Sequence, residues 1–210
     1  GMLLTILAGC GGGDGSASPA IVGPGLVEID DRPNLAITAP ELTVEYILPG
    51  VAGTTVASIL SDQPADGDIA FDPVLGAFTI TQGPDTLFFG IDSAKPNRPE
   101  FRAFLDFPLD GSTGDPAIPL EATVLSATLT VFVNFVNFAA TVPVLLDLVQ
   151  YSVLAGLAAD DYSSAPLATR AFDIFITDAG LDVSIDVTSL MAAAQARALT
   201  DFQVRFLLGP

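Results

Sequence analysis

The chain has 210 residues, half of them hydrophobic and 15% charged, and its 25 acidic against 7 basic side chains leave a net charge of −18. That length is enough for one domain with a core of its own and no disulfide staple, while the acid surplus excludes nucleic acid, whose binding draws on Lys and Arg displacing counterions. With no histidine and one cysteine, the usual zinc sites, Ser-His and Cys-His nucleophile pairs and disulfide frameworks are excluded as well.

In chain order, the first signal is a short apolar run, Leu3, Leu4, Ile6 and Leu7, ending in Leu7-Ala8-Gly9-Cys10. It is too short to span a bilayer. The small residues before Cys10 resemble the lipobox of a bacterial lipoprotein signal, which implies cleavage before Cys10, lipidation of that cysteine and a membrane contact made through the lipid alone. Gly11, rather than Asp, after the cysteine implies an extracytoplasmic address at the outer membrane or cell surface. Such a signal has a basic n-region that Gly1-Met2 does not supply, so the reading carries with it either a start upstream or a trimmed signal. The alternative is an accidental cysteine after an apolar run. Gly11 to Gly13, Gly15, Ser16 and Ser18 then give residues 11–25 the composition of a flexible tether, leaving 26–210 as a single domain.

Within that domain two-residue periodicity dominates. Strands are expected at 42–48, 54–60, 77–81, 86–91, 101–107, 123–135, 144–153, 171–177, 183–187 and 202–206, about ten in all. The clearest is 123–135, where Leu125, Ala127, Leu129, Val131, Val133 and Phe135 alternate with mostly polar neighbours. Likewise Phe101, Ala103, Leu105 and Phe107 alternate with Arg102 and Asp106, and Phe202, Val204 and Phe206 with Gln203 and Arg205. Only residues 189–199, rich in alanine and preceded by Thr188 or Ser189 as a cap, have helical character. Many strands, one short helix and no βαβ alternation predict an all-β protein, an antiparallel two-sheet β-sandwich. Fourteen phenylalanines and no tryptophan predict a core filled by smooth apolar rings.

The stretch 101–109 (FRAFLDFPL), then 118–132 (IPLEATVLSATLTVF), residues 144–162, Ile185-Asp186-Val187-Thr188-Ser189-Leu190 and 202–206 (FQVRF) resemble, in order, the DNRLRE-type, disaggregatase-related domain. The resemblance covers residues 68–208. It implies a jelly-roll sandwich, found on secreted or surface proteins and with relatives that bind polysaccharide, and it implies no active site. The chain departs from that pattern at its end, where a last strand of the form P-x-L-x-V-x-Y is missing. That pattern stands instead at Pro40-Glu41-Leu42-Thr43-Val44-Glu45-Tyr46. Residues 41–48 therefore either fill the empty slot as a circular permutation, fill it in a neighbouring molecule by strand exchange, or simply add a strand.

Two groups of side chains stand out as candidate sites. Asp160, Asp161 and Tyr162 form a loop with an aromatic face and carboxylates to accept sugar hydroxyls, the alternative being a tyrosine that plugs a sheet end. Asp62, Asp66 and Asp68 lie in a turn-forming stretch before a strand, where several oxygen ligands on a flexible loop suit a structural calcium ion, the only cofactor considered; the default is a solvated acidic turn. Asp30-Asp31 and Asp110-Gly111 look like ordinary turns. No phosphate loop, nucleophile elbow or His-containing metal motif is present, so the chain is expected not to be an enzyme. The expected function is a noncatalytic surface interaction module that recognises a polysaccharide or another surface component through loops at one end of the sandwich. The runner-up is an assembly protein that forms homo-oligomers by strand exchange or edge pairing.

Overall fold

In the computed structural model, residues 21–32, 38–115 and 117–210 are described; Cys10 and the glycine-rich residues that follow it lie outside them. The strands among the described residues are β1 (Leu26–Asp30), β2 (Glu41–Ile47), β3 (Thr55–Leu60), β4 (Gly67–Asp72), β5 (Ala77–Gln82), β6 (Thr86–Ile91), β7 (Glu100–Pro108), β8 (Gly114–Asp115), β9 (Thr123–Asn137), β10 (Thr141–Val149), β11 (Ala168–Phe175), β12 (Leu181–Asp186) and β13 (Asp201–Leu208), with one α-helix, α1 (Thr188–Ala196). Every strand pairing is antiparallel. The all-β antiparallel class expected from the periodicity is the one the chain adopts.

The strands follow the order β11-β10-β13-β7-β6-β1-β9-β2-β3-β8, with β12 on β9 and the β4–β5 hairpin on β7. Hydrogen bonds thus run unbroken through all of them, giving one curled sheet where two separate sheets were expected. The cause is β9. Its 15 residues hold β2 along Thr123–Thr130 and β1 along Val133–Asn137, while β12 takes the opposite edge. A strand that long belongs to both arms, and a register shift between Glu28 and Ile29 marks where β1 bends away. Segment 41–47 lies between β9 and β3 of its own chain.

Alternation decides which side faces in. Leu42, Val44 and Tyr46 of β2, Ala103, Leu105 and Phe107 of β7, Leu129, Val131 and Val133 of β9 and Phe202, Val204 and Phe206 of β13 all enter one apolar cluster. Phenylalanines meet there as predicted, Phe89 stacking on Phe206 at 5.2 Å between centroids. The helix α1 closes one end by burying Leu190, Met191 and Ala194. Its start is held by Asp186, whose Oδ1 accepts the Thr188 N–H at 3.0 Å. It stops three residues earlier than expected, because Ala198 turns to φ 51° and the Leu199 N–H returns to the Ala194 carbonyl.

Three strands were not expected from the sequence: β1, β4 and the two-residue β8. The segment 144–153 also leaves the sheet early, at Val149, and residues 150–167 fold back over the outer face of β10, β13 and β7. There Ile69, Phe104, Val149, Leu157 and Tyr162 make a second, smaller apolar cluster. Residues 21–25, placed in the tether by composition, are already bonded to the sheet: Ala140 N–H donates to Ile21 O, and Ile91 N–H to Gly25 O.

The β1–β6 junction depends on one glycine. Gly90 sits at φ 106°, and a Cβ there would overlap the Gly25 carbonyl oxygen. Gly90→Ala is expected to cost about 1–3 kcal/mol through backbone strain alone, read as a lower urea midpoint with an unchanged slope; an unchanged midpoint would show that the two strands can part at no cost.

Candidate functional site

The β4–β5 hairpin, β6 and the start of β7 enclose a groove. Two adjoining cavities of about 310 and 320 Å³ share Thr81, Lys95 and Phe101. Strand alternation supplies the walls. Asp68, Ala70 and Asp72 of β4, and Thr79 and Thr81 of β5, face the groove, whereas Ile69, Phe71 and Phe78 face the other way, toward Tyr162. Phe88 and Phe101, with ring centroids 5.8 Å apart, are half-buried and form the apolar part of the lining.

The remaining wall is the turn between β6 and β7. Asp92 closes it by accepting the Ala94 N–H at 3.1 Å, and Arg98 adopts φ 46°, in the left-handed region. This places Lys95, the one lysine of the chain, with its Nζ 3.6 Å from Asp92 and 5.6 Å from the Phe101 centroid. Asn97 donates to Asp72, whose Oδ1 also accepts the Val74 and Leu75 N–H groups. At the groove floor Asp68 is buried, its Oδ2 accepting the Phe88 N–H at 3.2 Å. Burial pushes its carboxyl up to about 6, against the opposing effect of the Phe88 and Thr81 hydrogen bonds. The result is a partly apolar trough ringed by hydroxyl, amide, ammonium and carboxyl groups.

The sequence-predicted residues lie elsewhere or do other work. Asp160, Asp161 and Tyr162 fall in a 3₁₀ turn, Ala159–Ser163. The Tyr162 ring is buried between Phe71 and Phe78, with the Arg102 guanidinium 3.9 Å above its centroid. Burial raises its hydroxyl to about 12. Asp161 Oδ2 accepts the Ala158 N–H at 2.7 Å. The turn is a lid on the outer sheet face, with Tyr162 as its plug. Of Asp62, Asp66 and Asp68, the last two are buried, so the solvated acidic turn expected there is corrected: Asp68 begins the groove wall, and Asp66 points into the protein. Among the described residues no three His, Cys, Asp or Glu side chains converge as a metal site would require.

Asp66 instead meets Asp31, and this too corrects the reading of Asp30-Asp31 as an ordinary turn. Both carboxyls are buried. Asp31 Oδ1 accepts from the Ser61 hydroxyl at 3.2 Å and Asp66 Oδ1 from the Asp106 N–H at 2.6 Å. No fixed donor reaches their Oδ2 atoms, and the charge of Asp31 raises the proton affinity of Asp66, which favours a state in which one of the two carries a proton. Burial is the main cause that pushes Asp31 up to about 7 and Asp66 well above the ordinary range, with Asp31's charge adding to the latter. Asp106, holding Gln203 Nε2 at 2.8 Å, rises to about 7 chiefly through burial.

Comparison of the chain with protein-family models, with curated proteins and with solved structures finds no match in any of the three. The fold and groove define an all-β antiparallel protein with a trough beside the β4–β5 hairpin. Sequence reasoning missed this trough, although one signal was present. Thr79 and Thr81 alternate with Phe78 and Ile80, giving β5 an apolar and a hydroxylated side.

Proposed function

We propose that the protein is a noncatalytic binding module of the cell surface and that its ligand is a segment of an uncharged polysaccharide lying in the groove beside β5. The observation that carries this reading is the pair of adjoining cavities sharing Thr81, Lys95 and Phe101. Because they share a wall, the two cavities offer adjoining places for successive units of a chain-like ligand. Phe101 and Phe88 offer apolar faces to the C–H side of a sugar ring, and Thr79, Thr81, Thr86, Asn97 and Lys95 offer hydroxyl, amide and ammonium groups to its hydroxyls. A net charge of −18 disfavours polyanionic glycans. The resemblance of residues 68–208 to DNRLRE-type domains and of Leu7-Ala8-Gly9-Cys10 to a lipobox supports the same reading from the sequence side.

Catalysis is outside the proposal, which concerns binding alone: of the carboxyls with raised proton affinity, Asp31, Asp66 and Asp106 are buried away from the groove lining, and Asp68 stands at its floor. A glycan array, followed by titration of the best hit, tests the reading. Phe101→Ala is expected to weaken binding of that glycan by roughly 10-fold or more through loss of the stacking face, measured well below the melting temperature of the variant. Absence of any saturable hit among neutral glycans, or a hit indifferent to Phe101→Ala, would refute it.

A further inference from the structure

We infer that β5 is a self-association edge, through which two copies of this chain pair their hairpins antiparallel about a two-fold axis at Thr79. Among the described residues β5 has one strand partner, β4, so its other edge presents unpaired N–H and C=O groups. Edges of this kind are normally blunted by charge, proline or a bulge. The other terminal strands obey that rule: β11 carries Arg170 and Asp173, β12 carries Asp182 and Asp186, and β8 has only two residues. The β5 sequence, Ala-Phe-Thr-Ile-Thr-Gln, has no charge, no proline and no bulge, and all six residues are exposed. In a chain of net charge −18, this is a strand along which two copies can meet without setting carboxylate against carboxylate.

The side chains choose a second copy as the occupant. With the axis at Thr79, Phe78 lies opposite the partner's Ile80 and Ile80 opposite the partner's Phe78, while Thr79 faces its own equivalent. Phe78 and Ile80 are each 40% exposed, and the pairing covers both. It also prolongs the aromatic strip in which Phe78 sits 5.2 Å from Tyr162 and 5.0 Å from Phe71. On the opposite face Thr79 and Thr81 of both copies come side by side, so the two grooves share one rim. The contact is small compared with the roughly 800 Å² per partner of a standard interface, and each copy brings a net charge of −18 to it. The dimer is therefore weak and strengthened by salt.

Sedimentation of the full chain across a concentration series, at about 0.1 M and about 1 M salt, screening lengths of about 10 and 3 Å, measures the association. Amide hydrogen exchange of the same samples locates it. Self-association is expected to tighten with salt, with protection of β5 amides rising with concentration. Thr79→Glu, which sets two carboxylates face to face, is expected to weaken it by roughly 10-fold or more, and Ser184→Glu on the β12 edge to leave it unchanged. Ile80→Thr, which keeps strand preference and removes the apolar cross-pair, gives the same readout if Thr79→Glu lowers the melting temperature. A monomer at every concentration and salt, association indifferent to both β5 substitutions, or protection rising on β11 or β12 instead, would overturn the inference. None of these outcomes depends on the glycan reading.

Discussion

Arg205→Ala is expected to lower the folding free energy by about 3–5 kcal/mol, the usual cost of breaking a buried ion pair by removing one partner. Arg205 is buried on the outer face of β13. Its guanidinium donates to Asp147 Oδ2 at 2.7 Å and to the backbone carbonyls of Asp161, Tyr162 and Ser164 at 2.9–3.0 Å. One planar fork therefore neutralises a buried carboxylate and fastens the 150–167 segment to the sheet. Alanine would leave Asp147, 3% exposed, with only the Thr169 hydroxyl as a partner and the Ser164 carbonyl without a donor, while Tyr162 O keeps Arg102 and Asp161 O keeps the Ser164 hydroxyl. Arg205→Lys keeps the charge but cannot span these acceptors, and it should recover less than half the loss. The pair Asp147→Leu with Arg205→Met should be more stable than Arg205→Ala alone, because no buried charge is left over. Urea denaturation measures all three. A loss under about 1 kcal/mol for Arg205→Ala would mean that the guanidinium is solvated and that the segment is held by Tyr162 and Leu157 alone.

The same residue shows how far the sequence could be read. The alternation of Phe202, Val204 and Phe206 with Gln203 and Arg205 located β13 and its inner face correctly, because that pattern is a property of one strand. The destination of the polar side was not visible. Gln203, Arg205, Asp106 and Asp147 would be expected to meet water, yet all are buried, since the chain returns after Val149 and covers them. Such a cover is a contact between distant segments, and only Tyr162, read as a tyrosine that could plug a sheet end, hinted at it. β4 was hidden for a related reason: Gly67 and the buried Asp66 and Asp68 carry the composition of a turn, and their burial becomes tolerable only when Asp31, Phe88 and Asp106 arrive from elsewhere in the chain. The middle of β9 needed no such help, since Ala127, Leu129, Val131 and Val133 keep a two-residue period into the core, but its ends slip phase: Leu125 is exposed and Val136, not Phe135, is buried. The groove is also a product of several segments, so the sequence supplied its residues but not their meeting.

The buried carboxyls make stability depend on pH in an unusual direction, with an optimum expected near pH 4 and a fall toward pH 8. Asp31 and Asp106 rise from an ordinary value of 3.8 to about 7 and Asp68 to about 6, in each case chiefly through burial, and Asp66 rises as well. Each holds its proton more tightly folded than unfolded. Their stabilising contribution is complete below 3.8 and lost as pH climbs through the folded values, at up to about 1.4 kcal/mol per pH decade for each proton. On the acid side Asp30 works the other way: burial opposes ionisation, but its hydrogen bonds from Arg32 outweigh it and hold the carboxyl below 3.8, so its contribution is lost as pH falls further. Asp66→Asn separates the dyad from the rest. The amide oxygen can keep the Asp106 N–H while the amide nitrogen donates permanently to Asp31, doing the work of the shared proton. The variant should gain about 1–3 kcal/mol at pH 8, change by less than about 0.5 kcal/mol at pH 4.5, and show a shallower slope between them. Thermal denaturation of both chains from pH 4 to pH 8 measures this. Wild-type protein more stable at pH 8 than at pH 5, or an equal loss from Asp66→Asn at both ends, would show that Asp31 and Asp66 do not share a proton in the folded chain.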